Sequence, residues 1–89
     1  MMTADNMLTL YARGGCWYCH SVLRAIERLG LDVEVRNIWE SEEAARELLQ
    51  ATGRLTVPVL RIHDAGGDIR WLPESADIIR YLESRAVGD

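Results

Sequence analysis

Lysine is absent from this 89-residue sequence: all ten basic side chains are arginine, set against 14 acidic ones for a formal charge of −4. The arginines alternate with acids along the chain and form no block. A nucleic-acid binder usually gathers its basic charge on one face, often beside stacking aromatics, so no nucleic-acid partner is expected. The net acidity also opposes a purely electrostatic hold on phosphate or anionic lipid. Long apolar runs are missing too. No stretch approaches the about 18 apolar residues of a membrane span, and no basic segment leads into an apolar run with a cleavage site. The expected setting is cytoplasmic, with no membrane partner.

Cysteine is scarce, and its two copies fall within one short segment, Cys16-Trp17-Tyr18-Cys19. A bridge between them would close so short a loop that little freedom would be removed from the unfolded chain. A stabilising crosslink is therefore a weak account of the pair. In a reducing cytosol, close cysteines more often serve catalysis or metal binding. The rest of the composition, 48% hydrophobic and 27% charged, belongs to an ordinary globular chain, and the length suits one domain spanning 1–89. Met1, Met2 and Met7 make no cofactor pattern.

The apolar run Met7–Ala12 reads as a first, buried strand, after the polar residues 3–6. Arg13-Gly14-Gly15 breaks it, and helix-compatible residues follow over 18–29. There Val22, Leu23, Ile26 and Leu29 recur at helical spacing, and Gly30 suits a C-terminal cap. Residues 32–38 alternate polar and apolar, the period of a strand with one covered face. Ser41, Glu42 and Glu43 open a second helix whose inner side is Ala44, Ala45, Leu48 and Leu49. A strand over 57–62, the turn-rich 64–68 and a return over Ile69–Leu72 suggest a hairpin. Pro73-Glu74-Ser75 then starts a last helix with Ile78, Ile79 and Leu82 turned inward. The order is βαβαββα, an α/β architecture with helices covering a mixed sheet.

The cysteine pair lies where the first strand gives way to the first helix. A sulfur at a helix start meets free backbone amides and the positive helix end, which stabilise thiolate over thiol. Arg13 adds positive charge beside the same opening. Cys16 is thus expected to attack as nucleophile, and Cys19, within the first turn and less accessible, to resolve the mixed disulfide. A zinc site would recruit Cys16, Cys19, His20 and the distant His63, but zinc normally takes four ligands and no second cysteine pair exists. His20 reads as a solvated helix residue or one that tunes the thiols, and His63 as a surface residue. Tyr18 either sets its hydroxyl near a substrate sulfur or simply packs. Trp17, exposed at the turn, forms a rim for a partner protein or covers part of the domain. Trp39 and Trp71 read as packing residues.

The segment Tyr11-Ala12-Arg13-Gly14-Gly15-Cys16-Trp17-Tyr18-Cys19, with Thr56-Val57-Pro58 downstream, resembles glutaredoxin within the thioredoxin-like fold. Val57-Pro58-Val59-Leu60 and the stretch from Pro73-Glu74-Ser75 to Leu82 resemble the N-terminal domain of glutathione transferases. Together these likenesses cover nearly the whole chain. They imply a mixed four-stranded sheet flanked by three helices, with Cys16 as nucleophile, Cys19 as its partner and Tyr18 as the active-site tyrosine. Glutathione is the implied reductant: Arg13 would receive a carboxylate, Val57 would offer backbone N–H and C=O beside a cis Pro58, and Glu74 and Ser75 would hold the γ-glutamyl end. Glu74 suits the ammonium, while Ser75 and a helix-start amide suit the carboxylate.

Two departures from glutaredoxins are evident. Trp17 stands where proline is common, and Gly66-Gly67-Asp68 comes too early to be the usual glycine-rich anion site, so Glu74-Ser75 takes over in the manner of the transferases. The alternative for Glu74 and Ser75 is simple helix capping. The expected activity is reduction of protein disulfides and glutathione mixed disulfides by a monomer, with disulfide-containing proteins as partners and no nicotinamide, flavin or metal site. The alternatives are a glutathione transferase-like enzyme, although no second domain follows, and a non-enzymatic module binding through the rim around Trp17. A further alternative, ranked below simple thiol exchange, is a [2Fe–2S] cluster shared between two protomers through Cys16 and two glutathiones.

Overall fold

The computed structural model describes residues 7–87; Met1, Met2 and the polar lead 3–6 lie outside the described residues. The elements are β1 (Met7–Ala12), α1 (Trp17–Leu29), β2 (Glu34–Asn37), α2 (Glu42–Thr52), β3 (Val59–His63), β4 (Ile69–Leu72) and α3 (Ser75–Val87). They make the expected thioredoxin-like α/β fold, a mixed four-stranded sheet flanked by three helices. The sheet order is β2-β1-β3-β4, with β1 parallel to β2 and the other pairs antiparallel.

β1 reads as a continuous apolar run because it is central and covered on both faces. Leu8, Leu10 and Ala12 join Leu60 and Ile62 of β3 under α1 and α3, packed on Val22, Ile78 and Leu82. Tyr11 and Val59 point the other way, with Ile38, towards Ala44 and Leu48 of α2. Leu10, Leu60, Ile78 and Leu82 are fully buried. Truncating Leu60 to alanine there would cost about 2–5 kcal/mol, because the surrounding layers cannot collapse into the space.

Both glycine caps have a geometric reason. Gly30 follows α1 at φ 66°, its amide bonded to the Glu27 carbonyl and that of Leu31 to Ile26, a Schellman closure. Gly53 ends α2 at φ 77° with one bond to Leu49. A side chain at either φ would be strained.

Some sequence expectations shift. The first helix begins at Trp17, one residue early, and the second strand contracts from 32–38 to Glu34–Asn37. Val35 is 47% exposed because β2 is an edge strand, paired only with β1 among the described residues. Leu49 is 48% exposed: α2 turns Ala44 and Leu48 inward, and the next position lies about 100° further round. Trp39, expected to pack, is 68% exposed on the turn after β2. Trp71 does pack, half-buried with its ring 5.6 Å from that of Tyr11.

Candidate active site

The loop from β1 to α1 is Arg13-Gly14-Gly15-Cys16, and Cys16 is the N-cap of α1. Its backbone is extended, so its side chain folds back and Sγ accepts the Cys19 amide at 3.2 Å. No acid sits in the first turn of α1, which leaves the positive helix end unopposed. Burial by itself raises the Cys16 pKa. The hydrogen bonds from the Cys19 thiol and amide, the Arg13 charge and the Tyr18 amide outweigh it, and Cys16 lies below the usual thiol range. Cys19, almost wholly enclosed, goes the other way: burial, then its hydrogen bond to Cys16, push it up to about 11. Both are free thiols. The pair is therefore split: the site lowers the pKa of one buried sulfur, which borders an open hollow, and raises that of the other.

Across the site, the Val57 carbonyl lies 4.0 Å from the Cys16 sulfur, and the Val57–Pro58 peptide bond is cis. Arg13, Cys16, Cys19, Val57 and Pro58 are thus brought together. Tyr18 and Trp17 stand exposed on the first turn of α1. Gly15, Cys16, Trp17 and His20 line an open hollow of about 320 Å³. Glu74 and Ser75 are at the head of α3, where the Glu74 carbonyl accepts the Ile78 amide at 2.8 Å. The exposed Glu74 lines a second hollow, with Thr56, Arg54 and Trp71, that none of Arg13, Cys16, Cys19, Val57 and Pro58 borders.

Cys16, Cys19, His20 and His63 do not converge as zinc ligands would; among the described residues no group of three or more His, Cys, Asp or Glu is placed to hold a metal. Sequence reading also missed a contact: the Arg13 guanidinium lies 4.9 Å from the centre of the Trp39 ring. Only the parallel register of β1 and β2, which sets Ala12 beside Asn37, could have signalled it.

A reactive cysteine capping a helix, backed by a buried partner and faced by a cis-proline turn, defines a thiol site on a thioredoxin fold. The family model described as glutathione S-transferase, N-terminal domain, matches residues 10–89. The glutaredoxin-like protein NrdH of Escherichia coli (strain K12) is 37% identical over 75 residues, covering 84% of this chain and 86% of that protein. Among solved structures, maleylacetoacetate isomerase from Anaeromyxobacter dehalogenans 2CP-1, with GSH in its active site, is 26% identical at TM-score 0.69. That match covers 94% of this chain but only 39% of the isomerase. Glutaredoxin from Brucella melitensis, 19% identical at TM-score 0.60 over 96% of this chain and 86% of its own, shares the fold. The chain belongs to the glutaredoxin-like proteins of the thioredoxin fold, the fold that also builds the glutathione transferase N-terminal domain. It is a thiol–disulfide oxidoreductase.

Proposed function

We propose that this oxidoreductase reduces mixed disulfides between glutathione and proteins, as well as protein disulfides, with free glutathione as electron source. The Cys16 thiolate attacks the glutathione sulfur of a mixed disulfide, and the protein thiolate leaves and takes a proton from solvent. A second glutathione thiolate then attacks the enzyme-bound glutathione, releasing glutathione disulfide and regenerating the Cys16 thiolate. In the dithiol route Cys19 gives up its proton and attacks Cys16 Sγ, expelling the substrate thiolate. Two glutathiones later reduce the Cys16–Cys19 bond. The observation that carries this reading is the opposite tuning of the two thiols.

Glutathione would lie along the Val57–Pro58 turn, its cysteine paired with the Val57 backbone and one carboxylate meeting Arg13. The γ-glutamyl ammonium would meet Glu74, its carboxylate Ser75 and the amides opening α3. Tyr18 would direct its hydroxyl at the leaving sulfur. The supports are the Val57 carbonyl beside Cys16, the family likeness, and the GSH held by the related isomerase. The enzyme would act as a monomer in a reducing, cytoplasmic setting.

The test is a coupled assay on a glutathionylated peptide. Cys16→Ser should abolish turnover, whereas Glu74→Ala should raise KM for glutathione about tenfold, as loss of a charge-assisted bond does. Substantial activity in Cys16→Ser would sink the nucleophile; an unchanged KM in both Glu74→Ala and Arg13→Gln would sink the glutathione pose. The transferase family match favours one other reading, activation of glutathione for attack on an electrophile. Strong conjugation with negligible thiol exchange in the same preparation would establish it instead.

A further inference from the structure

We infer that Trp39 is a positioning residue for the thiol chemistry, its exposed indole holding the Arg13 guanidinium at the mouth of the Cys16 site. The inference rests on Cys16 as the attacking sulfur.

Trp39 has no packing role to explain it. It is 68% exposed, while its neighbour Ile38 is buried under α2. Yet the turn that presents it is firmly tied. The Ile38 amide bonds to the Ala12 carbonyl at 2.9 Å, and the Trp39 amide to Asn37 Oδ1 at 2.8 Å. The Glu40 and Ser41 amides both reach the Asn37 carbonyl, at 3.1 and 3.0 Å. Ala12 is the residue immediately before Arg13, so the backbone carrying the indole is pinned to the backbone carrying the guanidinium.

The Arg13 carbon centre lies 4.9 Å from the ring centroid, inside the range of about 6 Å over which a cation is held on an aromatic face. Arg13 has few rivals for that hold. Among the described residues it forms no ion pair, and its other polar contact is Nη1 donating to the Gly14 carbonyl at 3.3 Å. An arginine side chain left to itself would sample many rotamers in water. Docked on an indole whose backbone is tied down, its charge stands beside the thiol before any substrate arrives, and that charge favours thiolate at Cys16. The same charge draws an anionic reactant towards the sulfur.

Alkylation of the reduced protein tests this, using neutral iodoacetamide and anionic iodoacetate on wild type, Trp39→Ala, Trp39→Phe, Arg13→Gln and the Trp39→Ala/Arg13→Gln double variant. His20, which lines the same hollow as Cys16, is kept in all of them, so its contribution is common to every profile. In Trp39→Ala the iodoacetate-to-iodoacetamide rate ratio should fall about two- to fivefold, and the midpoint of the iodoacetamide pH profile should move up. Trp39→Phe should retain most of the wild-type ratio, and Trp39→Ala should change nothing further once Arg13 is glutamine. An unchanged ratio in Trp39→Ala, an equal fall in Trp39→Phe, or an additive fall in the double variant would overturn the inference. No glutathione enters the measurement. A protein that shows these ratios but fails to reduce mixed disulfides loses the proposed function and keeps the inference; an active enzyme with indifferent ratios does the reverse.

Discussion

Helices α1 and α2 start in nearly the same way and serve different ends. Each N-cap is extended, at φ −96° for Cys16 and −130° for Ser41, and each side chain accepts the amide three residues on, at 3.2 and 3.1 Å. The two first turns then diverge. α2 continues with Glu42 and Glu43, whose charges answer the positive helix end, whereas α1 continues with Trp17 and Tyr18 and has no acid in its first turn. At Ser41 the cap completes a helix. At Cys16 the same unsatisfied amides and the same dipole act on a sulfur that can ionise, and Arg13 reinforces them. A stability device becomes a reactive one by exchange of one oxygen for sulfur and removal of the neighbouring acids.

The largest effect should come from reversing that exchange. Cys16→Ser puts a preferred cap in place, so urea unfolding should shift by less than about 1 kcal/mol while disulfide reduction falls to background. A large loss of stability would mean that the sulfur holds the helix in a way that an oxygen cannot. Next, Ser41→Ala should destabilise the protein by about 1 kcal/mol in the same unfolding experiment and leave the Cys16 alkylation rate untouched. Trp17→Glu gives α1 the acid that α2 already has. Its alkylation at neutral pH should slow about two- to fivefold, since a first-turn acid competes for the helix end. No slowing would remove the helix field from the causes of Cys16 reactivity and leave Arg13 and the direct hydrogen bonds.

The smallest effect separates the two thiols by pH. Cys19 has a folded pKa of about 11, above the about 8.5 of an unfolded cysteine. The folded state keeps this proton longer, so the contribution is complete below pH about 8.5 and is lost as pH climbs towards 11. Cys16, with a lowered folded pKa, contributes in the opposite sense: present above the unfolded value, lost as pH falls through the folded one. Cys19→Ala should therefore flatten the alkaline decline of stability relative to wild type. An equally steep decline in that variant would place the cause elsewhere.

Legibility in the sequence depended on where the deciding force was local. The central strand showed itself because burial on both faces demands an unbroken apolar run, and α1 because its stripe repeats at helical spacing. The placement of the cysteine pair at the start of α1 was legible for the same reason, since spacing, loop and helix start are all contiguous. Trp39, Leu49 and Val35 escape such a reading because apolar character does not by itself mean burial. Burial there is decided by the edge of the sheet and by which side α2 turns inward, both tertiary facts. The ends of β2 were unreadable because ladder bonds depend on a neighbour elsewhere in the chain. Glu74 and Ser75 stood out through family likeness, since a Glu-Ser pair opening a helix is equally an ordinary cap.

The Cys16 cap also has a consequence for the poise of the dithiol as an electron carrier. The amides and the arginine that favour the thiolate act only while the sulfur carries charge. Once Cys16 is joined to Cys19 that charge is gone, and those interactions fade, so the fold favours the reduced form over the oxidised one by whatever they contribute. For a two-electron couple, about 1.4 kcal/mol of such preference raises the reduction potential by about 30 mV. The features that lower the Cys16 pKa would therefore also make a Cys16–Cys19 disulfide easier to reduce, and under the proposed function each turnover would be biased towards the state in which the next one can begin.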